Sequence, residues 1–319
     1  MQKSELLIIG TIPETVGIGG VSIHVERLLY WLREKGQLYD FCDYKQESLR
    51  KILNLIAKHK IIHIHPSSPI FRLFLVCVSR LLGKKVVFTV HGNLGRFSFF
   101  KNIMDKFSVI FSNVPVVINE ESYKKAIKWN KSTRLISAYI SPYSDGYISS
   151  KIIDKIETAK QNNKIIVSTN ASVRSFTVEG EEIYGIDFLV KYFSNHLDYF
   201  LFISDPTSQY ADVYKNVDFE NIIFITGNHS FYALMKHSDI TVRCTATDGD
   251  SLSVREGLDL NIKVLATDRV SRPNGVILFK YNDSVSFEQA LLSFFEKENG
   301  CKENDNVVNE LILVYKNLM

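Results

Sequence analysis

Asp248 and Glu256 stand eight positions apart, on either side of a short Ser-bounded apolar run. One strand-like segment, 240–243, precedes them and another, 262–266, follows. A carboxylate can accept hydrogen bonds from two vicinal sugar hydroxyls. A helix beginning between two such acids presents its positive amino end to an anion. Ribose, diphosphate and hexose in a row, as in a nucleotide sugar, would use Asp248, Gly249, Asp250, Ser251 and Leu252 together with Glu256. Ser253-Val254-Arg255-Glu256 also spells a capping box, in which Glu256 would only close the helix end. Asp248-Gly249-Asp250 could bind magnesium through its carboxylates, but no metal is expected, because the motif lies late in the chain with only a short remainder after it.

Other reactive side chains fall in loops. Gly17, Gly19 and Gly20 precede a helix start, where glycines let a ligand approach backbone N–H groups. A nicotinamide fingerprint would need a third glycine where Ser22 stands, and a shorter loop. His91 follows the segment 85–90 directly. It can bond a sugar or phosphate, act as a base, or simply bond backbone at a strand end. Arg174 lies beyond the segment 164–168 and reads either as a fork for a diphosphate or as a surface residue. His63 and His65 share one strand face, but with no third ligand in view they read as structural.

These loops need a frame. Short apolar runs at 6–9, 61–65, 85–90 and 114–118 alternate with helical periods at 21–35, 49–58 and 70–82. After the turn-rich Ser141-Pro142-Tyr143-Ser144-Asp145-Gly146 and a polar, Lys-rich stretch to 163, the pattern restarts. Strands are expected at 164–168, 199–203, 222–225, 240–243 and 262–266, and helices at 183–193, 231–236, 253–260 and 287–295. The alternation implies an α/β protein of two tandem Rossmann-like, doubly wound domains, 1–143 and 144–319. Ligands of such sheets bind beyond the carboxyl ends of the strands, so the chemistry-bearing loops are expected to face a cleft.

The formal net charge of +3 hides an asymmetry: residues 1–143 carry +11 and residues 144–319 carry −8. The basic half suits an anionic partner, whether nucleic acid, a membrane face or a phosphate-bearing substrate, or else is a solvated surface with no partner. Within it, the segment 95–107 has aromatic and basic faces and reads either as a membrane-resting helix or as a core helix with a lysine rim. No apolar run approaches the ~20 residues of a bilayer span. The start of the chain lacks a signal-peptide layout. Cys42, Cys77, Cys244 and Cys301 are far apart with no CxxC pair, which fits a reduced, cytoplasmic protein; Cys77 and Cys244 read as core.

The ordered set of motifs resembles the GT-B-fold glycosyltransferases of family four. The segment Glu256 to Asp268 resembles that family's E-A-(apolar)-A-x-G-x-P-V-(apolar)-A-(S/T)-D run, and Tyr184-Gly185-Ile186-Asp187-Phe188-Leu189 resembles its K-G-(apolar)-D-(apolar)-L helix start. Gly227 to Asp239, His91-Gly92 and the early Gly19-Gly20 add to the likeness. The resemblance implies metal-independent transfer of a hexose from a UDP- or GDP-sugar, UDP favoured, with retained anomeric configuration. The acceptor would be a lipid-linked glycan, in bacterial surface polysaccharide assembly such as O-antigen or capsule. A peripheral position on an anionic inner membrane face is compatible with this, and nucleic acid is not an expected partner. Glu256 would bind the ribose, Asp248 the donor sugar, His91 the hexose near the reacting carbon, Arg174 the diphosphate, and Gly19 and Gly20 would border the diphosphate and acceptor. The sequence departs from the family where Tyr184 stands in place of a diphosphate-gripping lysine; Arg255 or Lys263 would then have to compensate. Two other readings remain: a non-catalytic subunit of the same fold, and a nucleotide-sugar epimerase.

Overall fold

The computed structural model describes residues 4–16, 19–293 and 306–319. Gly17, Cys301 and the end of the helix expected at 287–295 lie outside the described residues. The chain divides into two compact units, 1–143 with 305–319, and 144–304.

The first unit holds strands β1 (Leu6–Gly10), β2 (Asp40–Asp43), β3 (Ile61–Ile64), β4 (Lys85–Val90), β5 (Val114–Val117) and β6 (Arg134–Leu135). All pair in parallel, in the order β2-β1-β3-β4-β5-β6. Helices α1 (Pro13–Val16), α2 (Gly20–Glu34), α3 (Leu49–Lys58), α4 (Pro69–Leu81), α5 (Phe99–Phe111) and α6 (Glu120–Trp129) connect them. Strand β2 has no apolar run to announce it: its Asp-Phe-Cys-Asp is bounded by acids. Cys42 within it is buried, whereas Cys77 on α4 is partly exposed, against the expectation that it is core.

The second unit holds β7 (Ile165–Asn170), β8 (Tyr199–Ser204), β9 (Ile222–Ile225), β10 (Ile240–Arg243), β11 (Lys263–Thr267) and β12 (Ile277–Phe279). They form a second parallel sheet ordered β12-β11-β10-β7-β8-β9. Its helices are α7 (Ser150–Gln161), α8 (Ile186–Phe193), α9 (Gln209–Val213), α10 (Phe231–Met235), α11 (Leu252–Asp259) and α12 (Ser284–Leu292). The polar, Lys-rich stretch after the turn is therefore largely helix α7. Its Ile152, Ile153, Ile156 and Ala159 recur every three or four residues and pack with Ile166 and Phe202 of the sheet.

One expectation is corrected. The last helix, α13 (Val307–Lys316), belongs with the first unit and not with the second. Val307, Val308, Leu311, Val314 and Tyr315 form one apolar face, which joins Leu6, Ile8, Leu28 and Leu32 in a single core cluster. The Tyr315 hydroxyl also meets His63 Nδ1 at 2.7 Å in the interior.

Helix α11 lies close on β10 and β11 because residue 257 is glycine. A Cβ there would come within 2.7 Å of Val264 Cγ2 and 2.9 Å of Thr241 Cγ2, both side chains of the sheet. Gly257→Ala is expected to destabilise the chain by about 1–3 kcal/mol, the cost of overpacking a filled core. Urea unfolding of the variant would read this as a lowered midpoint.

Candidate functional site

In the second sheet β7 and β10 are neighbours, but the chain proceeds from β7 to β8 on one side and from β10 to β11 on the other. Such a reversal opens a crevice at the carboxyl ends of the strands, where ligands of open α/β sheets bind. Arg243 ends β10 at this point. Its NH1 donates to Asn170 Oδ1, at the end of β7, at 3.2 Å, and its Nε donates to Asp248 Oδ2 at 3.0 Å. A second guanidinium arrives from the loop after β11: Arg272 NH1 donates to the same Asp248 oxygen at 3.1 Å and its NH2 to Thr245 Oγ1 at 3.0 Å. The Gly249 N–H donates to Asp248 Oδ1 at 3.0 Å. Burial raises the Asp248 pKa, but the charges and hydrogen bonds of Arg243 and Arg272 outweigh it and bring the carboxyl down to about 2. Two guanidiniums around one carboxylate leave a surplus positive charge at the crevice.

Tyr184 occupies the position where the resembled family has lysine. Its hydroxyl lies 2.7 Å from Ser172 Oγ, and the Arg243 guanidinium carbon sits 5.2 Å from its ring centroid. The ring is a platform for a cation that comes from β10 instead. Neither of the compensating residues expected from sequence fills this role. Arg255 Nε is bonded to Asp250 Oδ1, and Lys263 opens β11 at the edge opposite the crevice. The two acids of the Asp-x-Asp motif are thus each engaged by arginine. Arg243 and Arg272 were missed because a lone arginine at a strand end or in a Pro-Gly loop forms no motif. The usable signal was their position just past β10 and β11.

Helix α11 starts between Asp248 and Glu256. Its N-cap is Ser251, which makes no side-chain capping bond, and Ser251 Oγ lies 3.1 Å from Ser253 Oγ. The capping-box reading fails on register. With Ser251 as N-cap the third helical residue is Val254, so Glu256 lies buried in the second turn, too far along to close the box. Arg174, the residue expected at the diphosphate, donates from NH2 to Asp187 Oδ2 at 2.7 Å in the first turn of α8. Asp187 Oδ1 also accepts from the Tyr214 hydroxyl at 2.9 Å. The amino end of α8 is already served by Glu182, whose carboxylate accepts from the N–H groups of Ile186 and Asp187 at 2.9 and 3.0 Å.

In the first unit, Gly19 is the extended N-cap of α2 and Gly20 its first residue. A Cβ on Gly20 would meet nothing within 4 Å, so no packing among the described residues demands glycine there. His91, just past β4, has its Nε2 at 2.9 Å from His65 Nδ1, and its ring stands edge-on to His24 at 4.9 Å. His65 is therefore more than an isolated structural histidine: ligand nitrogens of His24, His65 and His91 lie within 4.8 Å of one another. His63 hydrogen-bonds Tyr315 and Thr89. Burial, and then the neighbouring histidines, hold the pKa values of His65 and His91 well below the ordinary value, so both are neutral at pH 7. A metal-bound imidazole ordinarily has its far N–H on an acceptor. His24 has this, since Nδ1 donates to the Ala138 carbonyl at 2.7 Å, but the buried Nε2 of His65 has no partner among the described residues. His65 Nδ1 and His91 Nε2, 2.9 Å apart, share one proton between them. His65 engages Nε2 of His91, so Nδ1 is the nitrogen His91 can offer a ligand.

No protein-family model and no curated protein matches the chain. Solved structures do. Anabaena HepE in complex with UDP and glucose shares 10% identity at a TM-score of 0.71, covering 99% of this chain and 100% of that one. Sucrose-phosphate synthase from Thermosynechococcus elongatus shares 12% at 0.70, covering 99% of each. UDP-GlcNAc 2-epimerase from Methanocaldococcus jannaschii shares 11% at 0.57, covering 98% of this chain and 99% of that one. At these identities the likeness shows the fold, and the fold is GT-B.

Removing the carboxylate from between its two guanidiniums should cost about 3–5 kcal/mol, the penalty for breaking a buried ion pair. Asp248→Asn is the test, read by urea unfolding across pH. The folded pKa is depressed, so the stability from ionised Asp248 is complete above the ordinary aspartate value of about 3.9 and is lost as pH falls through about 2. The deficit of the variant against wild type should accordingly be full at pH 6 and shrink as the pH is lowered toward about 2.

Proposed function

We propose that the chain is a retaining, metal-independent glycosyltransferase that moves a hexose from a UDP- or GDP-sugar, UDP favoured, to a glycan acceptor. The observation that carries this reading is the Arg243–Asp248–Arg272 cluster at the strand-order reversal of the second sheet, beside the amino end of α11. A diphosphate carries concentrated negative charge, and planar guanidiniums held by a carboxylate are ready to receive it without reorganising. In this reading Asp248 positions the two arginines, because both its oxygens already accept hydrogen bonds. Glu256 binds the ribose hydroxyls. Neutral His91 suits a hydrogen bond to a sugar hydroxyl. Arg174 remains a second diphosphate contact if its pairing with Asp187 yields to the ligand.

HepE crystallised with UDP, with UDP and glucose and with UDP-glucose supports a uridine nucleotide as the first to try. For the chemical step we favour same-face substitution. The departing diphosphate takes the acceptor's proton while Arg243 and Arg272 stabilise its growing charge. The acceptor is proposed to be a lipid-linked glycan of bacterial surface polysaccharide assembly, on the resemblance to family four and the +11 charge of residues 1–143. The epimerase among the similar structures keeps a second reading in view, in which UDP-sugar is converted with no acceptor present.

Calorimetric titration with UDP tests the donor site. Wild type should bind, and Arg272→Ala and Glu256→Ala should each weaken binding by roughly ten- to a hundredfold, equivalent to losing a charge-assisted hydrogen bond of about 1.5–3 kcal/mol. Unchanged affinity in both variants would count against the assignment. Product sugar formed from UDP-sugar alone would favour the epimerase.

A further inference from the structure

The outer faces of α4 and α5 take no part in the donor site, and they are built the wrong way round for a soluble helix pair. In α5, Phe100, Ile103, Met104, Phe107, Ile110 and Phe111 recur at steps of three and four, the spacing of a stripe that ordinarily turns inward. Here the inward side carries Asp105, Ser108 and Val109, and most of the stripe turns outward: Phe100, Phe107, Ile110 and Phe111 are exposed, as is the adjoining Phe99, with Phe99 and Phe100 each at 74%, while Ile103 and Met104 are half-buried. Helix α4 repeats the inversion. Arg72 and Ser79 are buried with Leu75 and Val76, while Ile70, Phe74 and Leu81 face out, Leu81 at 86%.

The inversion is fixed by a buried ion pair between the two helices. Arg72 Nε donates to Asp105 Oδ1 at 2.8 Å, and both residues are almost wholly enclosed. Turning either helix to hide its apolar stripe would break that pair and strand a buried charge, which is strongly unfavourable. An exposed apolar face of this kind, several large side chains on two adjacent helices, marks an interaction site.

Charge identifies the partner. From 61 to 119 the sequence holds a single acid, Asp105, against seven lysines and arginines. That acid is the one enclosed with Arg72. Arg80, Lys85, Lys101 and Lys106 are exposed on or beside the two helices. A second copy of the chain would bring two like-charged rims together, which is unfavourable. Each helix has 13 residues, about 20 Å at 1.5 Å per residue, too short for a hydrocarbon core of about 30 Å. No described helix is long and apolar enough to cross a membrane.

We infer that α4 and α5 together form a docking face for an anionic lipid bilayer, lying in its surface with the aromatic side chains in the boundary between headgroups and acyl chains and the lysines among the headgroups. This inference stands on the first unit alone and does not depend on the donor-site reading. The full chain should co-sediment with vesicles of phosphatidylcholine and phosphatidylglycerol, and much less with phosphatidylcholine alone. Phe100→Ser/Phe107→Ser and Lys101→Glu/Lys106→Glu should each weaken partitioning at least tenfold, with thermal unfolding unchanged because all four side chains are exposed. Added salt should weaken the wild type toward the lysine variant. Absence of binding to the anionic vesicles, or equal binding by wild type and both variants, would overturn the inference. So would a concentration-dependent dimer abolished by Phe100→Ser, which would give the face to a second copy.

Discussion

A carboxylate enclosed between two guanidiniums governs the second unit. Asp248 is kept ionised by Arg243 and Arg272, and they in turn are kept oriented by it. Removing three charges from water is expensive, and a hydrophobic replacement would often be no less stable. What the trio adds is position. Arg243 spans from β10 to Asn170 on β7, so it fastens the two strands just where their connections part. Arg272 draws the loop after β11 to the same point. Helix α11 then begins immediately beyond, seated against the sheet by the missing side chain of Gly257. One buried acid thus holds two cations in place at a crevice set by the strand order, beside the helix amino end that Gly257 seats.

The first unit uses an opposite device. His24, His65 and His91 stand together, and burial keeps His65 and His91 uncharged. A neutral imidazole can both donate and accept, which suits sugar hydroxyls better than phosphate. The two units therefore differ in the chemistry they offer: fixed positive charge at the end of β10, and neutral hydrogen-bonding groups at the ends of β3 and β4.

The fold class was legible because parallel strands buried on both faces read as apolar runs, and helices between them as a different period. Elements without that contrast were not. Strand β2 is bounded by acids, β6 has two residues, and α7 hides a regular apolar face among lysines. The candidate site was legible where a residue type is rare in its setting, as with His91 after a strand or two acids around a helix start. It was illegible where geometry decides. Ser253 looks like a cap in one dimension, but the N-cap lies two residues earlier, at Ser251, so Glu256 becomes a second-turn residue. Tyr184 looks like a lost cation, and only the fold shows Arg243 lying over its ring. His24 lies far from His65 and His91 in sequence, and α2 brings it to them.

The return of the chain to its starting unit has a practical result for anyone who would dissect it. Cutting after Tyr143 does not release a complete first body, since Val308, Leu311 and Tyr315 would depart with the other fragment and leave Ile8, Leu28 and His63 uncovered. The second body, by contrast, is an insert: a contiguous stretch, 144–304, spliced into a host whose own sequence resumes afterwards. A stand-alone host would have to keep α13 together with residues 1–143, and the unit 144–304 would carry the whole arginine-bound aspartate with it.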